Sequence, residues 1–404
     1  MPKVLTDKDL IEKFLTRGVE KIYPSAEALR QRLMSGERLR IYQGFDPSGP
    51  YLHVGHAMGI RALKILQELG HEVIFLVGDY TAKVGDPDKD TTRAILSDET
   101  IKKNMAGWKK QAAQLIDFSG KNPVRFERNY AWLSKLKLED LIKLMSHMTL
   151  QQTLARSLFK KRLDKNEEIY LHELLYPLMQ GYDSVAMAVD MEIGGTDQTF
   201  NMLVGRDLVK SYLGKEKFVR ANKMMDAPDG ITMSKTKGNG INLGDSATDM
   251  YGKAMSYPDS AIASGLELLT DISLDVIKEI GNSLKRGENP MQYKKMMAFE
   301  IVKTIKGVKE AQAAQAYFEN TVQKKEAPSE ITNYELKITN ADIIDLLVEI
   351  KLAASKSEAR RLVEQGGIKI ANEVIKDINK IIEIPKDGVL VQRGKRQFVK
   401  VITK

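Results

Sequence analysis

The order in which apolar runs and turn residues alternate near the start of this chain constrains its fold more than any other feature. Leu39 to Phe45 reads as a buried strand that ends in Gly44-Phe45-Asp46-Pro47. Ala57 to Leu69 carries helical periodicity, and His71 to Val77 is a second apolar strand closed by Gly78-Asp79. Strand, helix and strand in that order favour a parallel sheet with helices on both faces.

The rest of the chain extends this α/β pattern. Asp7 to Leu33 is expected to be helical, with Leu10, Ile11, Phe14, Leu15, Val19 and Ile22 on one stripe and Thr6 or Asp7 as cap. Asp98 to Tyr182 reads as mostly helical, Met187 to Ile193 as another apolar strand ending in Gly194-Gly195, and Asn201 to Tyr212 as helix. Ala247 to about Lys325 is helical and rich in lysine. Gln323 to Ser329 is polar and contains proline, as a linker would, and Ile338 to Lys404 has its own apolar pattern and basic excess.

Composition removes several alternatives. The 404 residues include no cysteine, which excludes disulfides and thiolate metal sites, and the five histidines form no HExxH-like pair. No stretch approaches the ~20 apolar residues of a membrane helix. The N-terminal residues lack the apolar core of a secretory signal, so a cytoplasmic protein without a membrane partner is expected. The formal charge of +8 suggests an anionic partner such as nucleic acid.

Gly44 to His56 passes from a strand through a Gly/Pro/Ser turn into the start of a helix. The unpaired N–H groups and partial positive charge of a helix N-terminus suit phosphate. His53 and His56, three residues apart, share a face of the first turn, where two imidazoles can donate to phosphate oxygens; Gly55 lets a flat ring approach the backbone. Two histidines at that spacing are ordinarily just partly exposed. The string His-Val-Gly-His after a strand and a Gly-Pro turn is far more specific. It resembles the HIGH signature of class I aminoacyl-tRNA synthetases and related nucleotidyl transferases. Gly230-Ile231-Thr232-Met233-Ser234-Lys235-Thr236-Lys237-Gly238-Asn239 resembles the second signature of that class, KMSKS, with Lys235 at its second lysine. The first lysine is Thr232 here: either that position contributes less charge to the pyrophosphate, or Lys237 substitutes in part.

That resemblance implies activation of a carboxylate by ATP. Negative charge develops on the α-phosphate and on departing pyrophosphate, and the amino-acid carboxylate is already a nucleophile at neutral pH. Catalysis then consists mostly of positioning and electrostatic stabilisation. Ser48, His53 and Lys235 suit the β- and γ-phosphates and His56 the nucleotide side; Ser234 joins this catalytic set and Met233 the ATP contacts. A Mg²⁺ ion is expected on the phosphates, held largely by ATP and water, since no carboxylate cage and no protein metal site is legible.

Three local features bear on the amino acid. Tyr42 lies on the strand just before Gly44. Tyr176, Gln180 and Asp183 share one face of a helix. Gly194-Gly195-Thr196-Asp197-Gln198 follows a strand, as a ribose-binding turn would. Together with both signatures, these strings resemble the tyrosyl-tRNA synthetase family from about residue 30 to the C-terminus. The resemblance implies that Tyr42 and Asp183 bind the phenol of L-tyrosine, and that Tyr176, Gln180 and Asp86 hold its ammonium group. It also implies that Gly195, Asp197 and Gln198 contact ribose and the carboxyl region, and that Asp46 and Gly55 lie by the nucleotide. A buried phenol needs both a donor and an acceptor; Tyr42 can donate and an ionised Asp183 only accepts. The stretch Gly85 to Arg93 is about one residue shorter and more acidic than the family's loop, so no ATP contact is assigned to Lys89 or Arg93.

Ser355 to Ile370 reads as helix, glycine cap and strand. It resembles the small S-four-type RNA-binding module that bacterial-type members of the family carry at the C-terminus. Lys356, Arg360 and Arg361 would then meet RNA phosphates. The expected organisation is a Rossmann-like, doubly wound catalytic domain over 1–222, with a helical dimerisation insertion at about 98–150. The signature loop and an α-helical anticodon-proximal domain follow over 223–324, then a linker over 325–337 and a small α+β RNA-binding domain over 338–404. The resemblance implies a homodimer acting on tyrosine, ATP and tRNA(Tyr). The alternatives are a tryptophan-activating relative, in which Tyr42 would be superfluous, and an RNA-binding protein that has lost catalysis, against which stand His53, His56, Ser234, Lys235 and Asp183.

Overall fold

A computed structural model describes residues 2–86, 95–154, 157–225, 240–323, 332–336, 338–371, 373–385, 387–394 and 397–403. The chain forms two compact units, Met1–Ala311 and Gln312–Lys404.

The first unit is built on a six-stranded sheet: β1 (Val19–Tyr23), β2 (Arg40–Phe45), β3 (Glu72–Val77), β4 (Arg125–Arg128), β5 (Met191–Gly195) and β6 (Phe218–Asn222). Their spatial order is β1-β6-β5-β2-β3-β4, all parallel except β1, which runs antiparallel to β6. The expected strand–helix–strand unit is present as β2, the helix Val54–Glu68 and β3, in register from Arg40↔Glu72 to Phe45↔Val77. Ile41, Tyr42, Phe75 and Val77 are fully buried, as strands covered on both faces must be.

The segment expected as one helix over residues 7–33 is instead helix, strand and helix. Asp7 caps Lys8–Thr16 by accepting from Leu10 N at 2.9 Å, and Ile11, Phe14 and Leu15 are buried. Gly18 takes φ +63°, a conformation open to glycine, and turns the chain into β1. Ser25 then caps Ala26–Met34 through Ala28 N at 3.1 Å. Val19 and Ile22 suited the stripe by spacing, but pairing with β6 claims them.

Two further strands escape the expected pattern. β4 interrupts the stretch read as helical from Asp98 to Tyr182, and β6 was not expected at all. Its Arg220 is 3 % exposed, donating to the Phe14 carbonyl at 3.0 Å and the Arg17 carbonyl at 2.8 Å. β5 begins at Met191, four residues later than expected, because Met187 still caps the helix Tyr176–Ala186 and Ala188 turns with φ +50°. The strand ends in Gly194 and Gly195, as expected.

Helices Ala247–Met255, Ile262–Leu269, Leu274–Lys285 and Pro290–Lys306 meet the helical expectation for that region. They belong to the same unit as the sheet: Arg61 donates to the Leu268 carbonyl at 3.0 Å and the Thr270 carbonyl at 2.6 Å.

In the second unit, strands Glu373–Ile375, Ile368–Ile370, Val389–Arg393, Gln397–Thr403 and Thr332–Leu336 form a five-stranded sheet in that order. Ile343, Leu347, Val363, Ile368, Val391 and Val401 are fully buried in its core. Within the span expected as a linker, Thr332–Leu336 is thus a sheet strand, parallel to Gln397–Thr403. The remainder of that span lies outside the described residues. Among the described residues no helix is long and apolar enough to cross a membrane.

Candidate active site

In the sheet order, β2 connects outward to β3 and β4, whereas β5 connects the other way to β6. The junction between β5 and β2 is therefore where the winding reverses, and ligands of such sheets bind beyond the carboxyl ends of the strands at that point. A cavity of about 260 Å³ lies there, lined by Tyr42, Asp46, Ser48, His53, Gly55, His56, Asp86, Tyr176, Gln180, Asp183, Gly195, Asp197 and Gln198. Every described residue assigned from sequence to the small-molecule site thus meets in one place.

Asp183 and Tyr42 form the deep end, 3 % and 0 % exposed. They are not bonded to each other. Asp183 Oδ1 accepts from Trp132 Nε1 at 2.7 Å and Oδ2 from Asn129 Nδ2 at 3.1 Å. Burial drives the Asp183 carboxyl well above the usual carboxylate range, opposed by those two donors. The Tyr42 hydroxyl lies 2.9 Å from Ser184 Oγ and 3.5 Å from the Gln180 carbonyl. Burial, then the charges of Glu192 and Asp183, push the Tyr42 hydroxyl well above the ordinary phenol range. It is a neutral hydroxyl at any physiological pH.

One side of the cavity is a chain of polar groups. Gln198 Nε2 donates to Asp86 Oδ2 at 2.7 Å, and Asn201 Nδ2 donates to Gln180 Oε1 at 3.0 Å and Gln198 Oε1 at 3.2 Å. Gln180 Nε2 in turn donates to Glu192 Oε1 at 3.0 Å. The Tyr176 hydroxyl donates to Asp46 Oδ2 at 2.8 Å, while Thr81 Oγ1 donates to Asp46 Oδ1 at 2.7 Å. Asp46 is thereby fixed by two hydroxyls.

At the other end the helix Val54–Glu68 begins with His53 as N-cap. His53 N donates to His56 Nδ1 at 3.0 Å, and the two rings lie 3.8 Å apart. Since His56 Nδ1 accepts, a neutral His56 carries its proton on Nε2, where it is a donor. Val54 N bonds the Ile241 carbonyl at 2.9 Å, and Leu243 N the Leu52 carbonyl at 2.7 Å. This pairing fastens residues 241–243 to the histidine motif. Met224 and Met225 line the cavity. Both described flanks of the lysine-bearing segment therefore reach the site. Met233, Ser234 and Lys235, with Thr232 and Lys237, lie outside the described residues, as do Lys89 and Arg93. Among the described residues no three His, Asp or Glu side chains gather as a metal site.

In the second unit, Ser355 caps Lys356–Glu364 by accepting from Glu358 N at 3.2 Å; Gly366 at φ +69° ends it, and the strand Ile368–Ile370 follows. That is the expected helix, glycine and strand. The helix buries Ala359 and Val363 and exposes Lys356, Arg360 and Arg361. Lys356 Nζ lies 2.5 Å from Asp345 Oδ1.

Sequence reasoning missed Trp132, Asn129, Ser184, Glu192, Asn201 and Lys217. A charged Glu192 inside the apolar run from Met191 to Ile193 was a legible signal. Asn129 and Trp132 carried none, because they reach Asp183 only through the unexpected placement of β4 and the turn after it.

Residues 34–323 match the family of tRNA synthetases class I (W and Y), and residues 323–401 match the tyrosine–tRNA ligase SYY-like C-terminal domain. The tyrosine–tRNA ligase of Dehalococcoides mccartyi strain 195 is 39% identical over 398 residues, covering 97% of this chain and 98% of that one. That of Thermotoga maritima is 41% identical over 393 residues, covering 96% of each. A solved C-terminally truncated mitochondrial tyrosyl-tRNA synthetase of Coccidioides posadasii superposes with a TM-score of 0.62 at 24% identity, covering 77% of this chain and 92% of that one. The tyrosyl-tRNA synthetase of Archaeoglobus fulgidus complexed with L-tyrosine gives 0.58 at 21% identity, over 76% of this chain and 100% of that one. With matches of this extent and identity, the chain belongs to the tyrosine–tRNA ligases of the class I tRNA synthetase family.

Proposed function

We propose that the chain activates L-tyrosine with ATP to tyrosyl-adenylate and pyrophosphate, then transfers the tyrosyl group to tRNA(Tyr). The observation that carries this is the cavity's two-ended chemistry: a buried hydroxyl and carboxylate at one end, histidines at a helix start at the other. In this reading the substrate phenol lies between Tyr42 and Asp183, accepting from the first and donating to the second. Gln180 and Asp86 hold the ammonium group, with Tyr176 acting partly through Asp46. Gly195, Asp197 and Gln198 face ribose and the carboxyl group, and Asp46 and Gly55 the nucleotide.

ATP enters as its Mg²⁺ complex, the ion held by phosphate oxygens and water. A tyrosine carboxylate oxygen attacks the α-phosphorus as the bond to pyrophosphate breaks. His53, Ser48, Ser234 and Lys235 meet the charge leaving with pyrophosphate, His56 donates from Nε2 on the nucleotide side, and Met233 contacts ATP. Transfer follows when a terminal ribose hydroxyl of tRNA attacks the adenylate carbonyl and AMP leaves. Lys356, Arg360 and Arg361 contact RNA phosphates, which their exposure supports.

A homodimer through the 98–150 region is supported by the helix Leu138–Met145, whose Leu138, Ile142 and Met145 are 73 %, 61 % and 47 % exposed along one stripe. The test of the function is charging: labelled tyrosine should become acid-precipitable on bacterial tRNA only with ATP present. Charging with tryptophan instead would defeat the substrate assignment.

A further inference from the structure

Beneath the deep end of the cavity lies a buried ion pair that the chemistry above does not use. Lys217, just before β6, is fully buried, and its Nζ bonds a carboxylate oxygen of Glu192. A buried pair of charges is often no more stabilising than apolar residues of the same volume. The surroundings make room for this one: a Cβ at Gly205 would come 2.6 Å from Lys217 Nζ and 3.1 Å from Ser184 Oγ.

The lysine reaches the ligand end through one intermediary. Lys217 Nζ donates to Ser184 Oγ at 2.8 Å, and Ser184 Oγ lies 2.9 Å from the Tyr42 hydroxyl. An ammonium group only donates, so Ser184 accepts from it. The serine proton then has two acceptors, Tyr42 at 2.9 Å and Glu192 Oε2 at 3.4 Å, and the shorter contact favours Tyr42. With its oxygen accepting from Ser184, Tyr42 keeps its own proton for another partner, of which Glu192 is one within the protein. The Gln180 carbonyl at 3.5 Å is a weak one.

We infer that Lys217, acting through Ser184, sets Tyr42 as the hydrogen-bond donor toward the ligand, and is thereby a positioning residue for choosing tyrosine over phenylalanine. The direction runs from Lys217 to Ser184, to Tyr42, to the substrate phenol and finally to Asp183. This rests on the phenol assignment made above.

The test is ATP–pyrophosphate exchange by the full chain with tyrosine and with phenylalanine, for the wild type, Ser184→Ala and the double variant Lys217→Met/Glu192→Gln. The double variant leaves no unpaired charge and keeps an acceptor for Gln180. Ser184→Ala leaves the ion pair intact and carries the test if the double variant does not fold. In each, KM for tyrosine should rise about tenfold with kcat within about twofold, while exchange with phenylalanine stays within about twofold, because phenylalanine has no hydroxyl to lose a donor. Equal losses for both amino acids, or no change in their ratio, would overturn the inference. A wild type that does not prefer tyrosine would instead defeat the phenol assignment beneath it.

Discussion

The two ends of the cavity differ in what surrounds their polar groups. At the deep end Tyr42, Glu192, Asp183 and Lys217 are at most 3 % exposed and already bonded among protein groups. At the other end Ser48, His53 and His56 are half-buried, beside residues 241–243 that follow the lysine-bearing segment. In the proposed function a neutral phenol is selected by dipoles fixed in advance, since an unmet polar atom there is costly. Charge that develops during reaction is instead met by donors gathered around the incoming phosphates. On the proposed reading the difference makes selection and rate separable, residing at opposite ends of one cavity.

The sharpest way to break that comparison is Lys235→Ala. It should lower kcat of tyrosine activation by about 10³-fold while the tyrosine dissociation constant, read by equilibrium dialysis, changes little. Parallel loss of both would mean that the ends are not separable. Asp183→Asn should act in the opposite sense, raising KM for tyrosine by about 10²-fold with a smaller effect on kcat in pyrophosphate exchange.

Acid probes the packed side of the sheet. His71 is fully buried and accepts from Leu39 N at 3.2 Å ahead of β2. Burial, then Arg38 and Arg32, lowers it from 6.5 to about 4. The folded state thus binds this proton less readily than the unfolded chain. Its contribution is complete above pH 6.5 and is lost as pH falls from there toward 4. At pH 5 the loss is ~2 kcal/mol relative to pH 7, visible as a steeper fall in denaturant stability than that of His71→Gln. Equal slopes would show that His71 titrates normally.

The smallest effect belongs to the second unit. Arg360→Ala with Arg361→Ala should weaken tRNA binding about tenfold and lower the salt slope by about one to two, leaving tRNA-free exchange untouched. Filter binding across a salt series checks this. A loss that salt does not modulate would argue against phosphate contacts.

How much was legible follows from how local each signal is. The β2–helix–β3 unit was readable because its apolar runs and its Gly-Phe-Asp-Pro turn are contiguous. So was the helix Tyr176–Ala186, whose Tyr176, Gln180 and Asp183 line the cavity as their spacing implied. What escaped depends on partners distant in sequence. β6 looks too charged for a buried strand until Arg220 is seen bonding carbonyls of residues 14 and 17. β1 matches a helical stripe until Gly18 breaks it. The contact of Tyr42 with Ser184, which Lys217 bonds in turn, is marked by no motif.

ATP–pyrophosphate exchange with each of the twenty amino acids, without tRNA, tests the central claim most directly. Exchange supported by tyrosine, with tryptophan and phenylalanine near background, is the predicted result. Exchange led by tryptophan, or none with any amino acid in folded protein that still binds RNA, would contradict the account.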